Sequence, residues 1–180
     1  MPDSTHPEPQ PLPSDDLSRA LTVARPDSDD DTLAHISIAG DTYTILLGGA
    51  DTAGHFALID MHVPPGGGPP PHRHDFEETF TILEGELEVT FRGAKAVIHA
   101  GETVNVPANA PHSFHNASDA AVRMLCTCSP PGQEEFFLAI GDRVTSRTAP
   151  PPPLDDAAIA ARRAKAEELA PKYHAELLKP

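Results

Sequence analysis

Between His35 and Ser129 the apolar residues come in short runs rich in Val, Ile, Thr and Phe, with Gly, Pro, Asn or Asp in the gaps. Runs this short cannot complete an amphipathic helix, so the stretch predicts strands at roughly 35–39, 43–48, 55–63, 77–84, 86–92, 95–99, 103–106, 112–116 and 121–128. The joints carry turn chemistry at Gly40-Asp41, Gly48-Gly49, Gly54, Glu84-Gly85, Arg92-Gly93-Ala94, Ala100-Gly101 and Asn116 to Asp119. Many short antiparallel strands with such spacing mean an all-β sandwich or barrel. Twenty-one prolines in 180 residues point the same way, because proline interrupts helix interiors.

The flanks differ from this middle. Residues 1–34 hold six prolines, eight acids and two bases with no helical or alternating period, which predicts a disordered, acidic, proline-rich arm whose Asp27 to Asp31 cluster is solvated charge. Barrel strands and a short following helix account for 35–141. Within that span Phe136, Phe137 and Ile140 fall at helical spacing over Gln133 to Ile140, and Gly141 ends the pattern. A proline-rich spacer is expected at 142–154, and an alanine-rich helical tail at 155–180, started by Asp155 or Asp156 and interrupted at Pro171.

Charge and composition exclude several classes of function. A net charge of −14 with no basic run argues against nucleic acid. No apolar run approaches the length of a membrane span. The first ten residues lack the basic start and apolar stretch of a secretory signal, and the two cysteines, Cys126 and Cys128, form no disulfide framework, so a cytoplasmic location is expected.

Chemistry concentrates in Gly66 to Gly85, GGGPPPHRHDFEETFTILEG. On a strand His72 and His74 point to one face, and Glu78 shares their parity. Glu77 has the opposite parity and should face outward, unless a bulge exchanges the two. Pro69, Pro70 and Pro71 stiffen the approach to the histidines. A second stretch, Gly101 to Asn116, GETVNVPANAPHSFHN, delivers His112 after a turn built on Pro107 and Pro111. Three imidazoles and a carboxylate make a mixed nitrogen and oxygen donor set suited to one divalent first-row metal ion, with iron, nickel, cobalt, manganese or zinc all admissible.

At these residues the sequence resembles the cupin superfamily. Gly66, His72, His74, Glu78 and Gly85 satisfy its first motif, and Gly101, Pro107, His112 and Asn116 its second, with Asn109 standing where the family usually has glycine. Asn tolerates positive φ well enough for that turn to survive. The resemblance implies a single cupin jelly-roll β-barrel and a metal held by His72, His74, Glu78 and His112. It also implies a homodimer. The segment SPPGQEEFFLAIG at 129–141 is similar to small bacterial quercetinase-like cupins. That likeness implies a dioxygenase acting on a small enolisable or phenolic substrate, with Glu78 as catalytic base. A non-redox isomerase or polyketide-type cyclase, and a non-catalytic binding module, use the same frame.

Further side chains are candidates for the pocket. Asp60 and His62 share one parity and could face the lumen to orient a ligand imidazole, or lie on a wetted outer face. Phe80, Phe114, Met124 and Cys126 are expected to point inward. Cys126 and Cys128 read as small apolar residues, or as a soft ligand or redox-sensitive thiol near the metal. Phe76, Phe136 and Phe137 could wall an apolar pocket, whereas His35, His55, His99 and His115 are expected at the surface.

Overall fold

The structure is a computed structural model that describes residues 11–27 and 32–179. In chain order its elements are β1 (Ala34–Ile38), β2 (Asp41–Leu47), β3 (Ala57–Val63), β4 (His72–His74), β5 (Glu77–Glu84), β6 (Glu86–Phe91), β7 (Ala94–His99), β8 (Thr103–Val106), β9 (His112–His115), β10 (Val122–Ser129), α1 (Gln133–Ile140), β11 (Asp142–Val144), α2 (Asp156–Leu169), a 3-10 turn (Ala170–Tyr173) and β12 (Ala175–Leu177). They form a seven-stranded sheet in the order β11-β1-β2-β3-β10-β5-β8 and a five-stranded sheet in the order β12-β4-β9-β6-β7, antiparallel at every pairing. This is the all-β architecture that the punctuated runs predict, and it is consistent with a jelly roll.

Period-two alternation builds the core between the sheets. Ala57, Ile59, Met61 and Val63 of β3 are buried on one face, and across the ladder Val122, Met124, Cys126 and Cys128 of β10 meet them. On the other side of β10, Phe80 stands opposite Cys126 and Glu78 opposite Cys128. Phe80 also meets Phe114 of β9 edge to face, with centroids 5.5 Å apart, which joins the two sheets. Burying a side chain of this size stabilises by about 1.5–3 kcal/mol, and truncating it to Ala costs more because a cavity remains. Phe80, Phe114, Met124 and Cys126 thus all point inward, as expected.

Two corrections concern the C-terminal third. Asp142–Val144 does not open the spacer but pairs as β11 with β1, His35 lying opposite Val144. The helical tail does not stay helical, because Ala175–Leu177 forms β12 on β4, with Ala175 opposite His74 and Leu177 opposite His72. Both strands are three residues long, too short to show a period, and they exist because an edge strand offers unpaired backbone groups. Between them α2 starts where its cap predicts: the Asp155 carboxylate accepts from the Ala158 N–H at 2.8 Å.

The N-terminal arm needs a partial correction. Residues 1–10 and 28–31 of it lie outside the described residues, and 11–27 carry no helix or strand. Asp27, however, is not free solvated charge. Its carboxylate reaches Arg147, in the turn after β11, at 2.7 Å and Arg123 of β10 at 3.4 Å.

Candidate metal centre

The backbone before the first histidine is held by close approach. Gly68 has φ +128°, and a Cβ there would fall 2.1 Å from the Phe114 carbonyl oxygen, so only glycine lets the chain pass β9. Asn116 ties the two motifs together: its N–H donates to the Gly67 carbonyl, and the Gly66 N–H donates to the Asn116 carbonyl. The fully buried Asn116 side chain donates further to the carbonyls of Val63 and Ala120. In the turn before His112, Asn109 adopts φ 67° and its N–H donates to the His74 carbonyl at 2.6 Å, so the departure from glycine is accommodated.

These restraints bring His72, His74, Glu78 and His112 together inside the sandwich, with one potential ligand atom from each lying within 4.8 Å of the others. All four are buried, Glu78 to 2% exposure. Each imidazole is oriented in the same way. His72 Nδ1 faces the Pro70 carbonyl at 3.0 Å, His74 Nδ1 the Phe76 carbonyl at 3.0 Å, and His112 Nδ1 the Ala110 carbonyl at 2.9 Å. A carbonyl oxygen only accepts, so each Nδ1 carries a proton, and in the neutral ring Nε2 is left with its lone pair. Glu78 Oε2 lies 3.1 Å from His74 Nε2 and 3.0 Å from His112 Nε2. Phe76 stacks on His74 with ring centroids 3.8 Å apart, which fixes that ring's plane.

The electrostatics follow from burial and proximity. Burial pulls His72 down to about 4, so it is neutral near pH 7. For Glu78 burial alone would favour the acid, but hydrogen bonds from His112 and His74 outweigh it and hold the carboxyl well below its ordinary range. His112 is desolvated too, yet the bond to Glu78 raises it. A metal would displace the Nε2 protons that bond Glu78, and the freed Nε2 lone pairs with the ionised carboxylate are the donors that a divalent first-row ion requires, so the four residues fit such an ion.

Other expectations are sorted by the same geometry. Glu77 is turned outward, accepting from Asn105 Nδ2 at 2.8 Å and from the Ala108 N–H, and the register of Glu78–Thr81 against β8 is regular. Asp60 and His62 are not brought to the imidazoles. The inner face of β3 belongs to its apolar set, so Asp60 lies on the opposite face, fully buried, and accepts from Arg123 Nη2 at 2.6 Å and Nε at 3.1 Å. His62 stands opposite Arg123 on that face. His55, His99 and His115 are exposed as expected, but His35 is buried in β1 with Nδ1 2.7 Å from the Thr44 hydroxyl. Phe136 and Phe137 join the core beside Tyr173 and Tyr43.

Sequence reasoning missed two features. Asp41 reads as part of a turn with Gly40, yet it begins β2 with its carboxylate buried, accepting from the Tyr43 hydroxyl at 2.9 Å. The shared parity of Asp41 and Tyr43 was the available signal. The second feature is Cys126 Sγ at 3.3 Å from Glu78 Oε1, which places a thiol against the carboxylate oxygen that does not face the imidazoles.

Comparison with known proteins bears on the same region. Residues 59–128 match the family model of the cupin domain. The quercetin 2,3-dioxygenase of Bacillus subtilis is 30% identical over 107 residues, covering 58% of this chain and 32% of that protein. An uncharacterized protein of Methanocaldococcus jannaschii is 31% identical over 80 residues, covering 44% of this chain and 64% of its own length. The chain therefore spans about a third of the first and under two thirds of the second. Among solved structures, a predicted oxalate decarboxylase from Thermotoga maritima aligns at TM-score 0.54 and 23% identity over 61% of this chain and 99% of its own. An RmlC-like cupin from Shewanella frigidimarina aligns at 0.51 and 19% over 60% and 93%. Both share the fold. The family model and both motifs fall on one stretch of chain, and residues 59–128 are a cupin domain.

Proposed function

We propose that this cupin is a metal-dependent dioxygenase acting on a small enolisable or phenolic compound. The observation that carries the reading is the tautomer-fixed set of three Nε2 atoms converging with an ionised carboxylate in a buried site. Similarity to a quercetin dioxygenase over 107 residues supports the reaction class. An apolar groove of about 280 Å³ supports the substrate class. It opens where the edge strands β7 and β8 part, and its lining includes Val89, Phe91, Ile98, Val104 and Val106. Phe91 stands opposite His112 in the sheet, and Val106 opposite Glu78, so the groove's inner wall adjoins two of the four ligands.

A divalent first-row ion held by His72, His74, His112 and Glu78 would supply Lewis acidity and, where redox-active, electrons for dioxygen chemistry. The protein's own share is binding, orientation and proton transfer. Apolar walls seat a flat ring and exclude water. The carbonyl bonds at each Nδ1 keep the imidazoles from rotating. Glu78 accepts the proton of a substrate hydroxyl, so that an O–H bond breaks, a carboxylic acid forms and the substrate remains as its anion. Burial assists that transfer, because it favours the neutral acid once the imidazole hydrogen bonds no longer hold the carboxylate.

Metal analysis followed by oxygen-uptake assays tests this. Protein reconstituted with iron, nickel, cobalt or manganese is expected to consume oxygen with at least one flavonol or 1,3-diketone, and Glu78→Gln to lose that activity. No uptake with any metal across both substrate classes would overturn the dioxygenase reading in favour of the isomerase or binding alternatives. The same purified protein is expected to sediment as a homodimer.

A further inference from the structure

Glu78 uses its two oxygens differently. Oε2 lies between His74 and His112, whereas Oε1 has one partner among the described residues, Cys126 Sγ at 3.3 Å. Cys126 is fully buried on β10, and its sulfur is 3.6 Å from that of Cys128, which stands opposite Glu78 in the ladder. Both thiols are free. A carboxylate oxygen only accepts, so in this contact the Cys126 S–H is the donor. With that donor removed, Oε1 would be a buried charged acceptor with nothing to bond.

We infer that Cys126 is a positioning residue: its S–H donates to Glu78 Oε1 and holds the carboxylate with Oε2 toward the imidazoles. Cys128 backs the arrangement by packing against the Cys126 sulfur. This rests on Glu78 being a metal ligand as proposed above, although the hydrogen bond itself belongs to the metal-free protein. A small apolar residue serving only to fill β10 would behave in the opposite way under substitution. Ala would then be tolerated, and Ser would be the worse replacement because it buries a hydroxyl.

Two measurements test the inference. In the metal-free protein, infrared spectroscopy reads the S–H stretches, with only two cysteines to assign and Cys128→Ser to separate them. Glu78→Gln is expected to move the Cys126 stretch to higher frequency, because a neutral amide is a weaker acceptor than a carboxylate. Cobalt(II) affinity by chelator competition, with the visible spectrum of the loaded protein, supplies the second reading. Cys126→Ala is expected to weaken binding roughly tenfold and shift the cobalt bands, and Cys126→Ser to recover affinity to within about threefold of wild type. Equal behaviour of the Ala and Ser variants, or an S–H stretch indifferent to Glu78→Gln, would overturn the inference. So would a sulfur-to-cobalt charge-transfer band lost in Cys126→Ala, which would make the thiol a ligand. If wild type binds no cobalt, the metal reading fails, and the infrared result alone decides whether Cys126 holds Glu78.

Discussion

Glu78 and Asp60 are both carboxylates buried to 2% exposure or less, each with charged or polar partners close by, on opposite faces of one sheet. Their partners set them apart. Asp60 is held by Arg123, a guanidinium that keeps its charge at every accessible pH, so the partner across the carboxylate is always a cation and never a second metal donor. Glu78 is held by imidazoles, which bond the carboxylate when protonated and present Nε2 lone pairs when neutral. The same burial therefore produces a fixed structural pair on the outer face and an exchangeable site in the lumen. Chemistry requires the second kind.

Breaking the permanent pair has the largest expected effect. Arg123→Ala leaves Asp60 buried without its cation and should destabilise by about 3–5 kcal/mol, read by chemical denaturation. Arg123→Met with Asp60→Leu should recover most of that loss, since apolar replacements remove the uncompensated charge. Metal stoichiometry should be unchanged in both. A loss of metal binding would mean that the two faces are coupled, and the contrast would fail.

The exchangeable site should respond the other way. His112→Ala is expected to weaken divalent metal binding by roughly a hundredfold, about 2.7 kcal/mol, while the metal-free protein melts within a few degrees of wild type. His72→Ala should do likewise. If His72→Ala retained a full equivalent of metal at neutral pH by elemental analysis, the ligand set drawn from the four residues would be wrong.

These two faces were unequally legible in the sequence. The spacing of His72, His74 and Glu78 belongs to a motif, and Glu78 lies in the readable run 77–84, so the ligands could be named before any fold was known, although the three-residue strand β4 that carries the histidines was not among the predicted strands. Asp60 shows the limit of the same reasoning. Parity said that Asp60 and His62 share a face, but not which face is inside; Ile59, Met61 and Val63 at the alternate positions carried that answer. Asp41 was hidden by its glycine neighbour, which reads as a turn. β11 and β12 were invisible because three residues have no period, and only their distant partners β1 and β4 make them strands. The carbonyl partners of the imidazoles were likewise beyond sequence, since they depend on backbone conformation rather than residue type.

Asp41 extends the contrast to a buried carboxylate with no cation. The Tyr43 hydroxyl donates to Oδ2, and burial outweighs the hydrogen bonds from Tyr43 and the Gly68 backbone and raises the carboxyl to about 7. The folded state then binds a proton that the unfolded state has already released, so stability falls as pH rises from about 4 to about 7 and the full cost is present above that. Asp41→Asn keeps an acceptor for Tyr43 and removes the charge. It should stabilise by roughly 2 kcal/mol at pH 8, with the gain shrinking to near zero by pH 4. A gain that is constant across this range in pH-dependent melting would show that Asp41 carries no such charge penalty.

The smallest effect belongs to Asp27, which bonds the same arginine as Asp60 but from the solvent side, with 57% of its side chain exposed. Hydrogen bonds from Arg147, aided by the nearby charges of both guanidiniums, hold its carboxyl below the ordinary range despite slight burial, so the contact is real but wet. Exposed pairs contribute little because water screens them and the side chains lose freedom. Asp27→Ala should therefore cost about 0.5 kcal/mol, and most of that should vanish in 1 M salt, where screening acts over about 3 Å. The Arg123–Asp60 contribution should persist in the same salt series, because solvent does not reach Asp60. If both losses faded together with salt, burial would not be what separates a permanent pair from a transient one, and the reason given for Asp60's structural role would fall.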